Sequence, residues 1–302
     1  MTNNTDVLKI QGLKKRFGDK DVLRGVDLSV SGGSIFGFIG KNGSGKTTTM
    51  KAVLGLLSPD SGEISVCGEK VTFGETKTNR YVGYLPDVPE FYSFLTAREY
   101  LRLCGECCGM TGSEIKSRSD ELLTLVGLSD EKHRIKGYSR GMKQRLGIAQ
   151  ALIARPRLLI CDEPTSALDP IGRKEILDIL LSVKDETTVL FSTHILSDVE
   201  RICTDVAFLA NGVIAMHGTV SELKSMHRTE SFTIDAADRT AAEVLASLFP
   251  DARRVSDDSL MLDGDDDRMH AIMAVISEKK IPIMKIERIE PTLESLFMEV
   301  IG

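Results

Sequence analysis

No apolar run in this 302-residue chain approaches the roughly 18 residues that a membrane-spanning helix needs. The opening stretch "MTNNTDVLKI" is polar and holds no signal-peptide core, so the expected location is the cytoplasm. A basic excess is also missing. The 38 Lys and Arg are outnumbered by 44 Asp and Glu, for a net charge of −6, which argues against a dedicated nucleic-acid binder. The acidity is local: residues 221–302 hold 10 basic and 17 acidic side chains, and the rest of the chain is near neutral. Six cysteines are too few for a disulfide framework. Cys104, Cys107 and Cys108 cluster in "RLCGECCG" without a second Cys or His pair at metal-ligand spacing, so they read as small residues on a packed helix. There is no internal repeat and no long heptad run.

What is present is ample core material. Hydrophobic residues make up 42%, which argues against disorder, and the length suits one large domain or one large and one small. Residues 7–39 alternate apolar and polar between glycine-rich turns and read as strands. A helix is expected from Thr47, with Met50, Val53, Leu54 and Leu57 at helical spacing. Residues 88–137 read as mainly helical with two glycine-marked breaks. Then strands "RLLICDEP", "TTVLFSTH" and "DVAFLANGVI" alternate with helices at 172–184 and 196–203, which predicts a mostly parallel sheet covered by helices. From residue 231 the order becomes β-α-β-β-α-β, the ferredoxin-like pattern. Within it, "DGDDDR" reads as a solvated turn. The closing "PTLESLFMEVIG" puts Leu293, Leu296, Phe297, Val300 and Ile301 on one helical stripe.

Three stretches carry chemistry. "GKNGSGKT", residues 40–47, fits G-x-x-x-x-G-K-[ST] between an apolar strand and a helix. Gly40, Gly43 and Gly45 let backbone amides wrap phosphates, and the new helix points its positive end at the same anion. Lys46 is placed to pair with β and γ phosphates and Thr47 to offer a hydroxyl to Mg²⁺. Lys41, Asn42, Ser44 and Thr48 complete the candidate loop. In "LLICDEP", Asp162 ends a buried strand and can reach a metal through water. Strand alternation turns Glu163 to the other side, where it can polarise an attacking water. Adjacent acids there are costly unless a cation or catalysis uses them. In "STH", His194 follows the next strand and can touch a γ-phosphate.

Taken together, these residues resemble the nucleotide-binding subunit of an ATP-binding cassette (ABC) transporter over about residues 7–220. The signature segment appears as "YSRGM" at 138–142, the D-loop as "SALD" at 166–169, and Phe17 stands where the family has an aromatic that stacks on adenine. The resemblance implies a P-loop α/β cassette at 1–225, a helical signature subdomain at about 88–155, and a small α+β accessory domain at 226–302. It implies ATP and Mg²⁺, with Ser139, Arg140, Gly141 and Asp169 serving nucleotide across a head-to-tail pair of cassettes. Ser139 is itself a good N-cap, and the helix behind it has Met142, Leu146, Ala149 and Ile153 on its apolar face.

Two departures from the family pattern stand out. Asp87 replaces a glutamine; it can still bind Mg²⁺ through water, and a structural or coupling role is the other option. Arg140 replaces a glycine and can pair with phosphate, pair with the facing subunit, or lie in solvent. "DVPEFYSFLTAREYLRLCG" resembles the segment that contacts the membrane subunit, with Phe91, Tyr92 and Phe94 either forming that contact or buried in the helical lobe. The expected function is ATP hydrolysis at the inner face of the membrane, powering a separate permease. "YSRGMKQRL", "VGYLPD" and "PTLESLFMEV" are most similar to the export-type branch. The alternative, a soluble ABC-type ATPase acting on ribosomes or DNA, fits less well, because this chain has one cassette and no heptad array. A non-hydrolysing module is disfavoured by the set Lys46, Asp162, Glu163 and His194.

Overall fold

A computed structural model describes residues 6–75, 77–226, 231–289 and 292–301. The chain divides into a unit running to Val220, with which the chain from Val300 on is grouped, and a second one, Ser221–Glu299. In the first, β1 (Asp6–Phe17), β2 (Lys20–Ser31), β4 (Ser61–Val66) and β5 (Glu69–Lys70) make an antiparallel sheet in the order β2-β1-β4-β5. A second sheet has six strands in the order β10-β9-β3-β8-β7-β6. These are β3 (Ile35–Ile39), β6 (Val82–Leu85), β7 (Leu158–Asp162), β8 (Thr188–Thr193), β9 (Asp205–Ala210) and β10 (Val213–Thr219). Every residue of β3, β7 and β8 is buried, as expected of strands covered on both faces. All pairings in this sheet are parallel except β9 with β10.

That exception corrects the reading of "DVAFLANGVI" as one strand. Asn211 and Gly212 both have positive φ, at 49° and 77°, and fold the segment into a hairpin. Asn-Gly is the dipeptide that such a two-residue turn favours. The helices are α1 (Lys46–Val53), α2 (Ala97–Cys107), α3 (Gly112–Leu125), α4 (Arg140–Leu152), α5 (Pro170–Ser182) and α6 (Leu196–Ile202). The span 88–137 is less helical than its composition suggests: α2 and α3 start only at full capping boxes, Thr96 with Glu99 and Thr111 with Glu114. The glycine breaks fall at Gly109 and Gly127, both left-handed just beyond a helix end.

The second unit opens with α7 (Val220–Met226), whose first residue closes the first unit. It continues through β11 (Ser231–Ala236), α8 (Arg239–Leu248), β12 (Arg253–Arg254), β13 (Ser259–Asp263), α9 (Asp266–Glu278), β14 (Ile283–Arg288) and α10 (Leu293–Ile301) as far as Glu299. The antiparallel order β12-β13-β11-β14 fits the expected ferredoxin-like pattern. Phe232, Ile234, Leu245, Leu260, Leu262 and Ile272 lie in its core. "DGDDDR" is not a plain turn. Asp265 caps α9 by accepting from the Arg268 N–H, and Asp266 and Asp267 in the first turn complement the helix dipole. On α10, Leu293, Leu296 and Phe297 are buried; the side chains of Val300 and Ile301 lie outside the described residues.

The position of α4 is fixed by close approach to β6. A Cβ at Gly83 would lie 2.2 Å from the Ala151 carbonyl oxygen, and one at Gly147 would lie 2.5 Å from Leu85 Cδ1. Helix and strand therefore interlock through two missing side chains. Gly83→Ala is expected to destabilise the protein by about 1–3 kcal/mol through overpacking, seen as a lower thermal midpoint.

Candidate functional site

The phosphate loop leaves the buried strand β3 at Gly40 and enters α1 at Lys46. Gly45 sits at the helix start with φ 111°, and a Cβ there would meet Leu23 Cδ2 at 2.6 Å. A Cβ at Gly40 would fall 2.5 Å from Ser44 Oγ. Space demands glycine at both positions, and the left-handed backbone demands it again at Gly45. Lys41, Asn42 and Gly43 are exposed, Thr48 is half-buried, and the Ser44 hydroxyl is buried without a hydrogen-bond partner. Lys46 turns back over the loop, its Nζ donating to the Gly40 carbonyl at 2.6 Å and to the Lys41 carbonyl at 3.4 Å.

Strands β7 and β8 bring the other groups to this loop. Asp162 is only 3% exposed, and its two oxygens are both used. Oδ2 accepts from Thr47 Oγ1 at 2.7 Å, and Oδ1 accepts from Ser192 Oγ at 2.7 Å. Glu163 does not turn away as strand alternation would have it. Its φ of 49° is left-handed, a conformation that costs an L-residue about 1–2 kcal/mol. The cost is offset by anchoring: the Glu163 N–H donates to the Ser192 carbonyl and hydroxyl, both at 3.1 Å. The turn swings the carboxylate round to Lys46. Oε1 lies 3.1 Å from Nζ, a charge contact without hydrogen-bond geometry, and Oε2 lies 2.8 Å from His194 Nδ1. One strand over, burial above all, then the charges of Asp162 and Asp87, lifts the Tyr84 phenol to about 12, so it stays neutral. Burial likewise pushes the Cys161 thiol far up, leaving it unreactive.

The remaining expected residues have their own places. Phe17, at the end of β1, is 49% exposed, with Lys15 Nζ 5.4 Å from its ring centre. Ser139 caps α4 by accepting from the Met142 N–H at 3.2 Å. Gly141 borders open space. Asp169 is exposed and caps α5, accepting from the Gly172 N–H at 2.8 Å. Asp87 Oδ1 accepts from Ser166 Oγ and lies 3.6 Å from Arg140 Nη2. Arg140 thus meets Asp87, and it also donates to Ser166 Oγ at 3.3 Å.

Several residues were not anticipated. Lys20, Arg24 and Asn211 line a cavity of ≈ 320 Å³ together with Lys41, Asn42 and Ser44. The Asn-Gly turn was the available signal for Asn211. Ser192 carries both acids of the site, and nothing but its place in "STH" marked it.

Comparison with known proteins bears on this geometry. A family described as "ABC transporter" matches residues 23–166, and one described as "ATP-binding protein DrrA1-3-like, C-terminal domain" matches residues 218–301. The ABC transporter ATP-binding protein YxlF of Bacillus subtilis is 37% identical over 299 residues, covering 98% of this chain and 99% of that one. The bacitracin transport ATP-binding protein BcrA of Bacillus licheniformis is 35% identical over 305 residues, covering 98% and 97%. Among solved structures, an ATP-binding subunit of an ABC transporter superposes with a TM-score of 0.65 at 33% identity, over 73% of this chain and 92% of that one. The cassette MJ0796, solved as a post-hydrolysis dimer with ADP and Pi, gives 0.64 at 26% identity, over 70% and 98%.

Removing the hydroxyl that serves both acids has a defined cost. Ser192→Ala leaves a buried carboxylate oxygen short of a donor, and stability is expected to fall by about 1–3 kcal/mol in urea unfolding.

Proposed function

The chain belongs to the ATP-binding subunits of ABC transporters, ATPases that power a separate membrane permease, and we propose that Lys46, Thr47, Asp162, Glu163 and His194 form its hydrolytic site. The observation that carries this reading is the Glu163 carboxylate held between Lys46 at 3.1 Å and His194 at 2.8 Å. A carboxylate so placed can accept a proton from a water attacking the γ-phosphorus, with His194 beside the same phosphoryl group. Lys46 and the amides of residues 40–48 bind the β and γ phosphates. The donor set fits Mg²⁺, since Thr47 and Asp162 offer hard oxygens 2.7 Å apart. When bound there, Mg²⁺ neutralises charge on the phosphate oxygens. We leave Asp87 out of this set, since its Oδ1 accepts from Ser166 and faces Arg140. Phe17 offers a half-exposed ring to the adenine.

Ser139 and Gly141 serve the nucleotide of a second subunit docked head to tail, with Asp169 close by; Arg140 is turned to Asp87 and Ser166 instead. Gly141 supports this: nothing in its own chain would meet a Cβ there, so its bare backbone suits close approach from outside. The dimeric cassette among the structural relatives supports the pairing. No helix among the described residues is long and apolar enough to cross a membrane. Attachment to the inner face of the membrane then runs through the permease, and Tyr92 and Phe94, 58% and 63% exposed, suit that contact. Export is the direction we favour, on the bacitracin-transport relative and the DrrA-like tail.

Glu163→Gln is expected to lower ATP hydrolysis by about 10²–10⁴-fold while nucleotide still binds. The variant should then collect as a dimer in MgATP; light scattering that shows only monomer at saturation counts against the reading. Ser139→Arg should spoil hydrolysis but leave the monomer's affinity for a fluorescent ATP analogue unchanged. Equal loss of both would mean that Ser139 serves its own chain's nucleotide.

A further inference from the structure

The turn that follows β7 is gripped from two sides. It is left-handed at both ends without glycine, with φ 49° at Glu163 and 51° at Ala167. Such backbone persists only where the surroundings hold it. Inside the turn, the Ser166 N–H donates to the Glu163 carbonyl at 3.0 Å, so Ser166 and Glu163 move together. The two hydroxyls between them go to different carboxylates. Thr165 Oγ1 donates to Asp198 Oδ2 at 2.8 Å, and Asp198 Oδ1 accepts from Arg173 Nη2 at 2.7 Å. Asp198 is buried, so this grip is shielded from water. Ser166 Oγ donates to Asp87, which is paired with Arg140. Here both charged side chains are about half exposed, at 48% and 46%. The outer grip is the releasable one.

The outer grip is also tied to α4. Arg140, Gln144 and Gly147 follow one another at helical spacing on the face towards residues 85–89. Arg140 meets the Asp87 carboxylate, Gln144 Nε2 donates to the Asp87 carbonyl at 2.8 Å, and Gly147 admits Leu85. Asp87 thus stands where the β6 exit, the start of α4 and the Glu163 turn meet.

We propose that Asp87 and Arg140 are positioning residues: as a pair they hold Ser166, and through it the strained turn that aims the Glu163 carboxylate, without touching nucleotide or metal. This rests on Glu163 being the group that takes the proton of the attacking water. It also joins the two departures from the family pattern into one unit. A carboxylate at 87 is kept from repelling phosphate because an arginine at 140 neutralises it.

The test is steady-state hydrolysis by the purified full-length chain, with separate kcat, KM for MgATP and Mg²⁺ half-saturation, and binding of a fluorescent ATP analogue as the check on folding. Asp87→Ala, Arg140→Ala and Ser166→Ala should each lower kcat by about 10–100-fold, as expected of a misaimed group, with KM and Mg²⁺ half-saturation unchanged. The double variant Asp87→Ala/Arg140→Ala should be no worse than either single one. The swapped pair Asp87→Arg/Arg140→Asp should recover most of kcat, because a hydroxyl can accept from Arg as well as donate to Asp. Wild-type kcat in the single variants overturns the proposal. So does a raised Mg²⁺ requirement in Asp87→Ala, which would make Asp87 a metal ligand. A raised KM in Arg140→Ala without rescue by the swap overturns it too, since it would make Arg140 a phosphate ligand. Glu163→Gln separates the two levels: if it hydrolyses normally, the site assignment fails; if it is inactive while the Asp87 and Arg140 variants are normal, only the positioning claim fails.

Discussion

Two carboxylates in succession, both largely removed from water, are the constraint around which this cassette is arranged. Asp162 and Glu163 would repel each other and resist burial if left alone. The fold answers with one hydroxyl and one ammonium. Ser192 donates to Asp162 and receives the Glu163 N–H, which fixes the direction in which each acid points. Lys46 brings a positive charge to Glu163 while its own ammonium is steadied by loop carbonyls. Strand β8 must therefore lie beside β7, and the phosphate loop must emerge between β3 and α1 over both. The parallel order β3-β8-β7 supplies that arrangement. The sheet is a frame for bringing these charges within reach of each other.

Much of this was legible because the informative residues sit at strand ends. "GKNGSGKT" and "STH" come at the end of a run of buried residues, as do the acids of "LLICDEP", and a parallel sheet delivers all such ends to one edge. The ABC fold and the ATPase activity could be read from those stretches and the signature. What escaped was set by backbone conformation. Period-two alternation sends Glu163 to the far side of the strand, and only a left-handed residue brings it back. Sequence gives little warning of that, since glutamate is an unusual occupant of such a position. Asn211-Gly212 is the opposite case, since the turn chemistry was written plainly but lay inside an apolar run that looked continuous. Asp87 and Arg140 are 53 positions apart in the chain, and no local pattern joins them.

The second unit shows how different kinds of signal differ in reach. Its β-α-β-β-α-β rhythm could be followed residue by residue, and its core side chains alternate as a half-covered sheet requires. Its acidity settles partly into helix capping at Asp238 and Asp265. The concentration of negative charge there is thus in part an architectural device for starting helices, not a binding surface in itself.

The glycines of two separate loops press on the same few residues of β2. Gly45 of the phosphate loop approaches Leu23, and Gly212 of the β9–β10 turn approaches the Val22 carbonyl, while the Arg24 N–H donates to the Gly212 carbonyl at 2.7 Å. Strand β2 also carries, through its pairing with β1, the end where Phe17 projects. In the proposed site, the wall for the base and the floor for the phosphates are thereby one preorganised piece. A nucleotide bound as proposed there has little chain to order before it is held at both ends.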